Sequence, residues 1–406
     1  MKRILHILAQ RPEKTGSGTF LQALIKQGRK HGYEQAVLAG IPASEKGHAY
    51  FDAPIVFYPV LFETGELPFP VAGMTDIMPY ASTMYRKMTD DMYQLWRKAF
   101  TARVTQAVSE FHPDVIISNH LWLLSALTKE LFPDIPMITA CHGTDLRQME
   151  LAPQFRNYVT KYCRQIEHIV ALHEPQKRDI IAKYGIKAAK IIIGGVGFNP
   201  DLFYRDDAQK DKDRINLVYA GKLNFSKGVP SLIQAYNQLS ETSVHLDFAG
   251  TGTGEECRFI EEMAKNSRLP LTLNGMMPQK DLADLFRKSH LFVFPSFFEG
   301  LPLVLLEALA CGLRVVTTNL PGIWEFFGEW FNKEGFIEYV PLPPLRSIDK
   351  PVQEALPAFE QQFAEAMEKQ LARITAEPVI RDPQFNEAMA AMTWESVFQK
   401  IEDLLV

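Results

Sequence analysis

Cysteine is scarce in this chain of 406 residues, and its apolar runs are short. The four cysteines lie far apart and form no Cys-x-x-Cys pair, which argues against a disulfide framework or a cysteine-based zinc site. They are Cys141, Cys163, Cys257 and Cys311. No apolar stretch approaches the ~20 residues that a membrane-spanning helix needs. We therefore expect a cytoplasmic protein whose thiols are reduced.

The amino-terminal segment also lacks the features of a secretory signal. A basic pair precedes a short apolar stretch at residues 4–9, but no long apolar region and no small-residue cleavage site follow. This stretch instead predicts a buried first strand.

No strong excess of one charge is present, since the formal net charge is −5. We therefore expect no nucleic-acid partner. Residues 1–200 carry 23 Lys and Arg against 18 Asp and Glu. This mild excess suits an anionic acceptor, or peripheral contact of the first domain with the inner face of a membrane. Ordinary surface variation explains it equally well.

Length and patterning predict two domains of the α/β class. A chain this long exceeds what one ordinary core accommodates. Short apolar runs alternate with longer amphipathic stretches, as in βα units around a parallel sheet. The first series of expected strands is 4–9, 35–39, 115–118, 137–140 and 168–172. The second series is 217–220, 244–249, 271–274, 291–295 and 313–317.

A glycine-rich run at residues 194–201 predicts the linker between the two series. We expect domains at 1–195 and 196–390, with a C-terminal helix at 391–406 joined to the first domain. Residues 51–85 interrupt the alternation and predict an irregular insertion, which serves either packing or acceptor recognition. Residues 341–385 also interrupt it and contain an amphipathic helical pattern around 359–374.

The loop after the strand at 291–295 carries Glu299. This position lies at the carboxyl edge of a sheet, where ligands of α/β folds bind. Pro302 is expected to hold the first position of the following helix, and Gly312 to end it. Helical side chains lean toward the amino terminus, so Glu307 can direct its carboxylate to the same edge.

Backbone amides in the same stretch offer a site for anionic oxygens. They belong to Gly300, Leu301 and the first helical turn, which includes Leu303. Taken alone, two carboxylates eight residues apart are a weak signal, and pairing with the helix amino terminus together with a solvated face is the more common explanation. The whole stretch, however, resembles the Glu-x7-Glu motif of retaining glycosyltransferases of family 4.

This resemblance implies the GT-B fold, in which two Rossmann-like domains with parallel sheets face each other across a cleft. It implies that the first domain serves the acceptor and the second binds the nucleotide-sugar donor. Glu299 would contact the donor sugar near its reacting end, and Glu307 would hold the ribose hydroxyls.

Two lysines five residues apart follow the strand at 217–220. Lys222 and Lys227, after a glycine turn, suit a diphosphate whose charge grows as the sugar bond breaks. Without such context, two lysines are usually solvated surface charges. Family members commonly carry Arg at the first position. Lys222 keeps the charge but lacks the planar fork that binds phosphate through two hydrogen bonds.

Glycines mark two further turns. The spacing at residues 250–254 does not fit a dinucleotide-binding Gly-x-Gly-x-x-Gly and predicts a tight strand-to-helix turn. The family resemblance implies that backbone near Gly275 and Met276 borders the nucleotide base. Gly16 and Gly18 open a helix after the first strand, where amides can approach a phosphate or sugar hydroxyl. Glycine pairs in loops are nevertheless common.

His142 follows the strand at 137–140 and so lies at the carboxyl edge of the first sheet. A single histidine is more often a structural hydrogen-bonding group than a catalyst. Here it resembles the His-Gly motif of the same enzymes, which implies contact with the transferred sugar.

The family resemblance implies a retaining hexosyltransferase. No Asp-x-Asp run follows a strand end, so cationic side chains and helix amides are the expected counter-charges, and neither a metal nor another cofactor is expected. The expected donor is a UDP-sugar, with a GDP-sugar as the alternative. The acceptor is a glycan, a lipid-linked or a small molecule. A sugar-nucleotide epimerase and a non-catalytic sugar-nucleotide-binding subunit share this architecture and remain as rivals.

Overall fold

A computed structural model describes residues 2–13, 15–75, 78–211, 213–347 and 349–405. The chain divides into two compact units. Unit 1 comprises Met1–Val196 together with Trp394–Val406, and unit 2 comprises Gly197–Thr393. Each unit has its own parallel sheet, so each is described separately.

The strands of unit 1 are β1 Arg3–Leu8, β2 Glu34–Pro42, β3 Val56–Phe62, β4 Ala72–Gly73, β5 Thr83–Met84, β6 Val115–Asn119, β7 Met137–Ala140, β8 His168–Ala171 and β9 Ile191–Ile193. Its helices before the linker are α1 Gly16–Lys30, α2 Asp90–Phe111, α3 Leu123–Leu131, α4 Thr144–Leu151, α5 Arg156–Cys163 and α6 Glu174–Tyr184. The capping hydroxyl of Thr15 accepts the Gly18 N–H at the start of α1, and that of Thr89 caps α2 in the same way.

The main sheet of unit 1 is parallel, with strand order β3-β2-β1-β6-β7-β8-β9. Strands β6 and β7 are buried along their whole length, as expected for parallel strands covered on both faces. The strand order reverses between β1 and β6, and such a switch point is where open α/β sheets bind ligands. Leu8 pairs with Asn119, and Asn119 with Ala140, so the carboxyl ends of β1, β6 and β7 lie side by side.

The interpretation of residues 51–85 as an irregular insertion is wrong for Val56–Phe62. This segment is β3, which extends the main sheet beyond β2. Pro59 lies within it, and a proline usually argues against a strand because it donates no ladder hydrogen bond. An edge strand tolerates this loss on its open side. The described residues that follow form only the short β4 and β5 pair.

Unit 2 contains the strands β10 Ile215–Ala220, β11 Val244–Ala249, β12 Leu271–Leu273, β13 Leu291–Phe294, β14 Arg314–Thr318, β15 Ile337–Val340, β16 Leu345–Ser347 and β17 Lys350–Pro351. Its helices are α7 Val229–Tyr236, α8 Gly254–Lys265, α9 Gln279–Lys288, α10 Leu303–Ala310, α11 Ile323–Lys333, α12 Leu356–Ala376 and α13 Pro383–Ala390. The expected amphipathic helix around 359–374 is confirmed as α12.

The main sheet of unit 2 is also parallel, in the order β12-β11-β10-β13-β14-β15. Its order reverses between β10 and β13, which are neighbours. The loops that leave these two strands carry Lys222 and Lys227 in one case and Glu299 in the other. The topology therefore brings the predicted cationic and acidic side chains to one edge of one sheet.

The last helix, α14 Trp394–Glu402, packs within unit 1. Trp394 lies edge-on to Phe20 of α1, with ring centroids 5.7 Å apart. His31, just after α1, contacts the carboxylates of both Glu395 and Glu402. The four cysteines are buried and free. Among the residues described, no helix is both long enough and apolar enough to span a membrane.

Candidate functional site

The loop between β13 and α10 places Glu299. Pro302 immediately precedes the helix, so the expectation that it would hold the first helical position is wrong by one residue, and α10 begins at Leu303. Pro302 has an extended backbone, with ψ at 110°, which ends the loop before the helix starts. Gly312 follows the end of α10 with a φ of +79°, as expected for a residue that terminates a helix.

Glu299 forms an ion pair with Lys227. Lys227 Nζ donates to Glu299 Oε1, and the Ser296 hydroxyl donates to the same oxygen at 3.1 Å. Lys227 and Glu299 are both partly exposed, whereas Ser296 is buried. Two residues that are far apart in sequence therefore meet at the carboxyl edge of the unit 2 sheet.

The backbone around Lys227 is fixed independently of this ion pair. Asn224 Oδ1 accepts the Lys227 N–H at 3.0 Å. Gly228 has a φ of +67°, and a Cβ at this position would lie 2.1 Å from the Pro295 carbonyl oxygen. Only glycine permits this approach, because both the backbone conformation and the space exclude a side chain. The two loops that carry Lys227 and Glu299 are thus in direct contact.

Lys222 lies in the same electrostatic environment. Burial lowers its pKa from the ordinary value, and the positive charge of Lys227 lowers it further, while Glu299 opposes the shift. Two cations that disfavour each other attract an anion placed near both. A diphosphate supplies that charge.

Glu307 is a buried carboxylate on α10, with 8% of its surface exposed. Burial raises its pKa to about 8. Within the described part of the chain, no hydrogen bond or ion pair to this carboxyl group is present, and burial alone shifts its pKa. A buried carboxyl group without partners is costly, and hydroxyl groups of a ligand would satisfy it.

The predicted backbone contacts lie on accessible segments. Gly300, Leu301 and Leu303 are partly exposed, and the cap residue Pro302 has no side-chain donor or acceptor to occupy the first amides of α10. A Cβ at Gly275 would meet nothing within 4 Å, and Met276 is 74% exposed. Both positions are open to a ligand.

In unit 1, His142 lies between two other loops. Its Nε2 is 3.0 Å from Asn119 Oδ1, at the end of β6. Its backbone N–H donates to Asp145 Oδ2 at 2.8 Å, and the same carboxylate faces His120 Nδ1 at 3.4 Å. Asp145 is fully buried and His120 is 5% exposed. Burial, with the neighbouring His120, lowers the pKa of His142 to about 3, so the imidazole is neutral at physiological pH.

The two glycines at the start of α1 differ in their surroundings. Gly16 is exposed, and a Cβ there would meet nothing within 4 Å. Gly18 is buried, and a Cβ there would lie 2.9 Å from the backbone of Glu13. Its N–H already donates to Thr15 Oγ1 at 3.0 Å. Gly16 is therefore open to a ligand, whereas Gly18 packs against its own loop.

Sequence reasoning did not single out Asn119, His120 or Asp145 as parts of the site. The available signal was positional, because Asn119 and His120 are polar residues directly after a buried strand, as His142 is. Ser296 was also missed, although it follows β13 in the same way. Among the described residues, no cluster of three or more His, Cys, Asp or Glu side chains has the arrangement of a metal site.

Two family models match consecutive parts of the sequence and together cover residues 14–341. Glycosyltransferase Family 4 matches residues 14–202, and Glycosyl transferases group 1 matches residues 201–341. Glycogen synthase of Mycobacterium tuberculosis is 26% identical over 226 residues, which cover 53% of this chain and 54% of that protein. The chain thus spans about half the length of this relative.

Solved structures resemble the whole chain. Sucrose-phosphate synthase from Thermosynechococcus elongatus has a TM-score of 0.71 at 16% identity, covering 100% of this chain and 98% of that one. Anabaena HepE in complex with UDP and glucose has a TM-score of 0.68 at 15% identity, covering 100% and 99%. At these identities the likeness concerns the fold. The chain belongs to the glycosyltransferases of the GT-B fold, and the predicted α/β class with two Rossmann-like parallel sheets is confirmed.

Proposed function

We propose that this protein is a retaining, metal-independent hexosyltransferase that uses a nucleotide-diphosphate sugar, with a UDP-sugar favoured over a GDP-sugar. The observation that carries the proposal is the arrangement of Lys222, Lys227 and Glu299 on one edge of the unit 2 sheet, with Glu307 on the adjoining helix. This edge provides cations for a diphosphate and carboxylates for hydroxyl groups.

The lysines stabilise the leaving group in this account. As the bond between the anomeric carbon and the diphosphate oxygen breaks, negative charge grows on the diphosphate. Lys222 and Lys227, with the amides at Gly300, Leu301 and Leu303, interact more strongly with that charge than with the intact donor. Because side-chain cations and helix amides fill this role, the reaction is proposed to need neither a metal ion nor another cofactor.

The remaining donor contacts follow from the same edge. Glu307 accepts hydrogen bonds from the ribose hydroxyls. Backbone near Gly275 and Met276 borders the base, and Glu299 contacts the transferred sugar. Support for UDP comes from the HepE structure, which was solved in complex with UDP and glucose. We assign the donor to residues 196–390.

Residues 1–195, with the C-terminal segment, are proposed to serve the acceptor, which is a glycan, a lipid-linked or a small molecule. His142 would contact the transferred sugar, and the exposed backbone at Gly16 would approach a phosphate or sugar hydroxyl. Gly18 remains part of this proposal because it lies in the same first turn of α1. We propose a cytoplasmic location with peripheral contact at the inner membrane face, which flotation with anionic vesicles would test.

The activity is tested with a panel of UDP- and GDP-sugars. Thermal shift first identifies the donor, because selective binding stabilises the native state by RT ln(1 + [L]/Kd). Product analysis with candidate acceptors should then show a new glycosidic bond, with the anomeric configuration of the donor retained by NMR. Conversion of the free nucleotide sugar without transfer would identify an epimerase instead. Binding without turnover or donor hydrolysis would identify a non-catalytic subunit.

Metal independence needs a separate experiment. Transfer should continue at an unchanged rate in excess chelator. Complete loss of activity, with recovery on adding Mg²⁺ or Mn²⁺, would refute this part of the proposal.

A further inference from the structure

The imidazole ring of His142 is held on three sides within unit 1. Phe20 lies edge-on to it, with ring centroids 5.0 Å apart, and His120 approaches to 4.9 Å at an interplanar angle of 66°. Asn119 provides the hydrogen bond in the ring plane. Asp145 holds the backbone by accepting the His142 N–H. The orientation of this ring is thus fixed by residues from α1, β6 and α4.

The contact with Asn119 determines which ring nitrogen carries the proton. As the Asn119 amide is oriented in this structure, its Oδ1 lies 3.0 Å from His142 Nε2 and accepts the N–H of that nitrogen, while Asn119 Nδ2 is buried without a hydrogen-bond partner among the described residues. In a neutral imidazole, the other nitrogen, Nδ1, then has a lone pair and no hydrogen. Within the described residues no hydrogen bond to Nδ1 is formed, and His142 as a whole residue is partly exposed.

Burial, more than the neighbouring charges, keeps this ring neutral. The titratable groups that face it are His120 and Asp145. Burial and His120 disfavour the imidazolium, and Asp145 only partly opposes them. Burial alone would also raise the pKa of Asp145, but His120 and His142 outweigh this and hold it below its ordinary value. In this tautomer Nε2 donates to Asn119 and Nδ1 can only accept a hydrogen bond.

We propose that Asn119 is a positioning residue that fixes His142 in the Nε2–H tautomer, so that Nδ1 accepts a hydrogen bond from a hydroxyl group of a sugar. The identity of the ligand rests on the proposed function, whereas the tautomer does not. The hydroxyl belongs either to the transferred sugar of the donor or to the acceptor. In either case an O–H group donates a hydrogen bond to Nδ1. A ligand group that can only accept hydrogen bonds would bind poorly here.

The tautomer is measured directly by ¹⁵N NMR of the full chain labelled at histidine, with His142→Ala used to assign the signal. In the wild type, the His142 shifts should show Nε2–H and a bare Nδ1, and they should not change between about pH 5.5 and 8. A signal with the proton on Nδ1, or one that titrates in this range, would overturn the proposal whether or not the protein is a transferase.

Asn119→Asp tests the positioning role. A carboxylate beside Nε2 raises the pKa of His142, and once both nitrogens are protonated Nδ1 no longer accepts. The His142 signal should then titrate, and kcat should fall at least about fivefold from pH 8 to pH 6 beyond any change in the wild type. Gln27→Glu introduces a buried acid elsewhere in unit 1 and should not produce either effect.

Asn119→Ala supplies a variant without a new charge. It should lower kcat about tenfold, because the ring can then adopt the tautomer in which Nδ1 carries the proton and cannot accept a hydrogen bond. Donors and acceptors that each lack one hydroxyl group then identify the source of the O–H group. The wild type should turn over the compound without that hydroxyl more slowly than the intact compound. His142→Ala should turn over both at the same rate. Wild-type turnover with full activity in both Asn119 variants would contradict the positioning role. Absent turnover in the wild type would instead contradict the proposed function.

Discussion

Lys227 Nζ donates a hydrogen bond to Glu299 Oε1, although the two residues are separated by 72 positions in the chain. The Ser296 hydroxyl donates to the same carboxylate oxygen. The cation proposed for the diphosphate is therefore paired in this structure with the carboxylate proposed for the sugar. Under the proposed function, donor binding exchanges these partners, so that Lys227 turns to phosphate and Glu299 to a hydroxyl group.

Removing the Lys227 charge should impair catalysis more than binding. Lys227→Ala should lower kcat by roughly 10²-fold or more, because the cation interacts most strongly with the charge that develops on the leaving group. The measurement is steady-state kinetics with the best donor. Lys265→Ala, at a position whose side chain is 73% exposed, is the control and should behave as wild type. Unchanged kcat in a folded Lys227→Ala protein would show that the assignment is wrong.

The two glutamates should have separable kinetic effects. Glu307→Gln should mainly raise the donor Km, by about 1 to 3 kcal/mol in binding free energy, because ribose contacts change little during reaction. Glu299→Gln should mainly lower kcat, since this residue lies nearer the reacting sugar. Part of its effect will come through loop adjustment around the donor. If Glu299→Gln changes only the donor Km and Glu307→Gln changes only kcat, the two roles are exchanged. If neither substitution changes kcat or Km, both residues are structural carboxylates at a helix end.

Glu307 should also make stability depend on pH. Its pKa is about 8 in the folded protein against 4.5 as the reference, so between these values the folded state keeps a proton that the unfolded state has released. The free energy of unfolding should therefore fall as pH rises through this window, by on the order of 2 to 4 kcal/mol from this residue. Denaturant unfolding should show a flatter pH dependence for Glu307→Gln. If the free energy of unfolding depends on pH equally in the wild type and in Glu307→Gln, burial does not raise the pKa of Glu307.

His31 should produce a second pH effect in unit 1. The hydrogen bond to Glu395, at 2.5 Å, raises its pKa, and Glu402 adds to this shift. The stabilising contribution is complete below the unfolded value of 6.5 and is lost as pH rises through the higher folded pKa. Wild type should lose more stability than His31→Gln between pH 6 and 8. His48→Gln, an exposed histidine, serves as the control.

Much of the fold follows from the sequence because strands such as β6 and β13 are short, apolar and bounded by breakers. Strand β3 could not be predicted, because Pro59 interrupts the strand pattern of its sequence. The structure tolerates this proline because β3 lies at the edge of the sheet. The sequence predicts that α10 starts at Pro302, one residue before its actual start at Leu303, because proline is compatible with both the cap and the first helical turn.

The sequence predicts which residues belong to the candidate site, but it does not predict which of them contact each other. Glu299 and Lys227 were assigned to separate parts of a donor, and nothing in their local sequences indicates that they form an ion pair with each other. Their contact depends on β10 and β13 being neighbours in the sheet. The same holds for Asn119 and His142, which meet because β6 and β7 end side by side.

Isothermal titration of UDP into the wild type, Glu307→Gln and Lys227→Ala tests the central claim most directly, namely that this edge of the unit 2 sheet binds the nucleotide diphosphate. GDP serves as the comparison nucleotide. Wild type should bind UDP, and Glu307→Gln should bind it at least about tenfold more weakly through the lost ribose contacts. Lys227→Ala should also bind it more weakly, because a phosphate contact is lost. If both folded variants bind UDP or GDP as tightly as wild type, or if wild type binds neither nucleotide, the account of this site is contradicted.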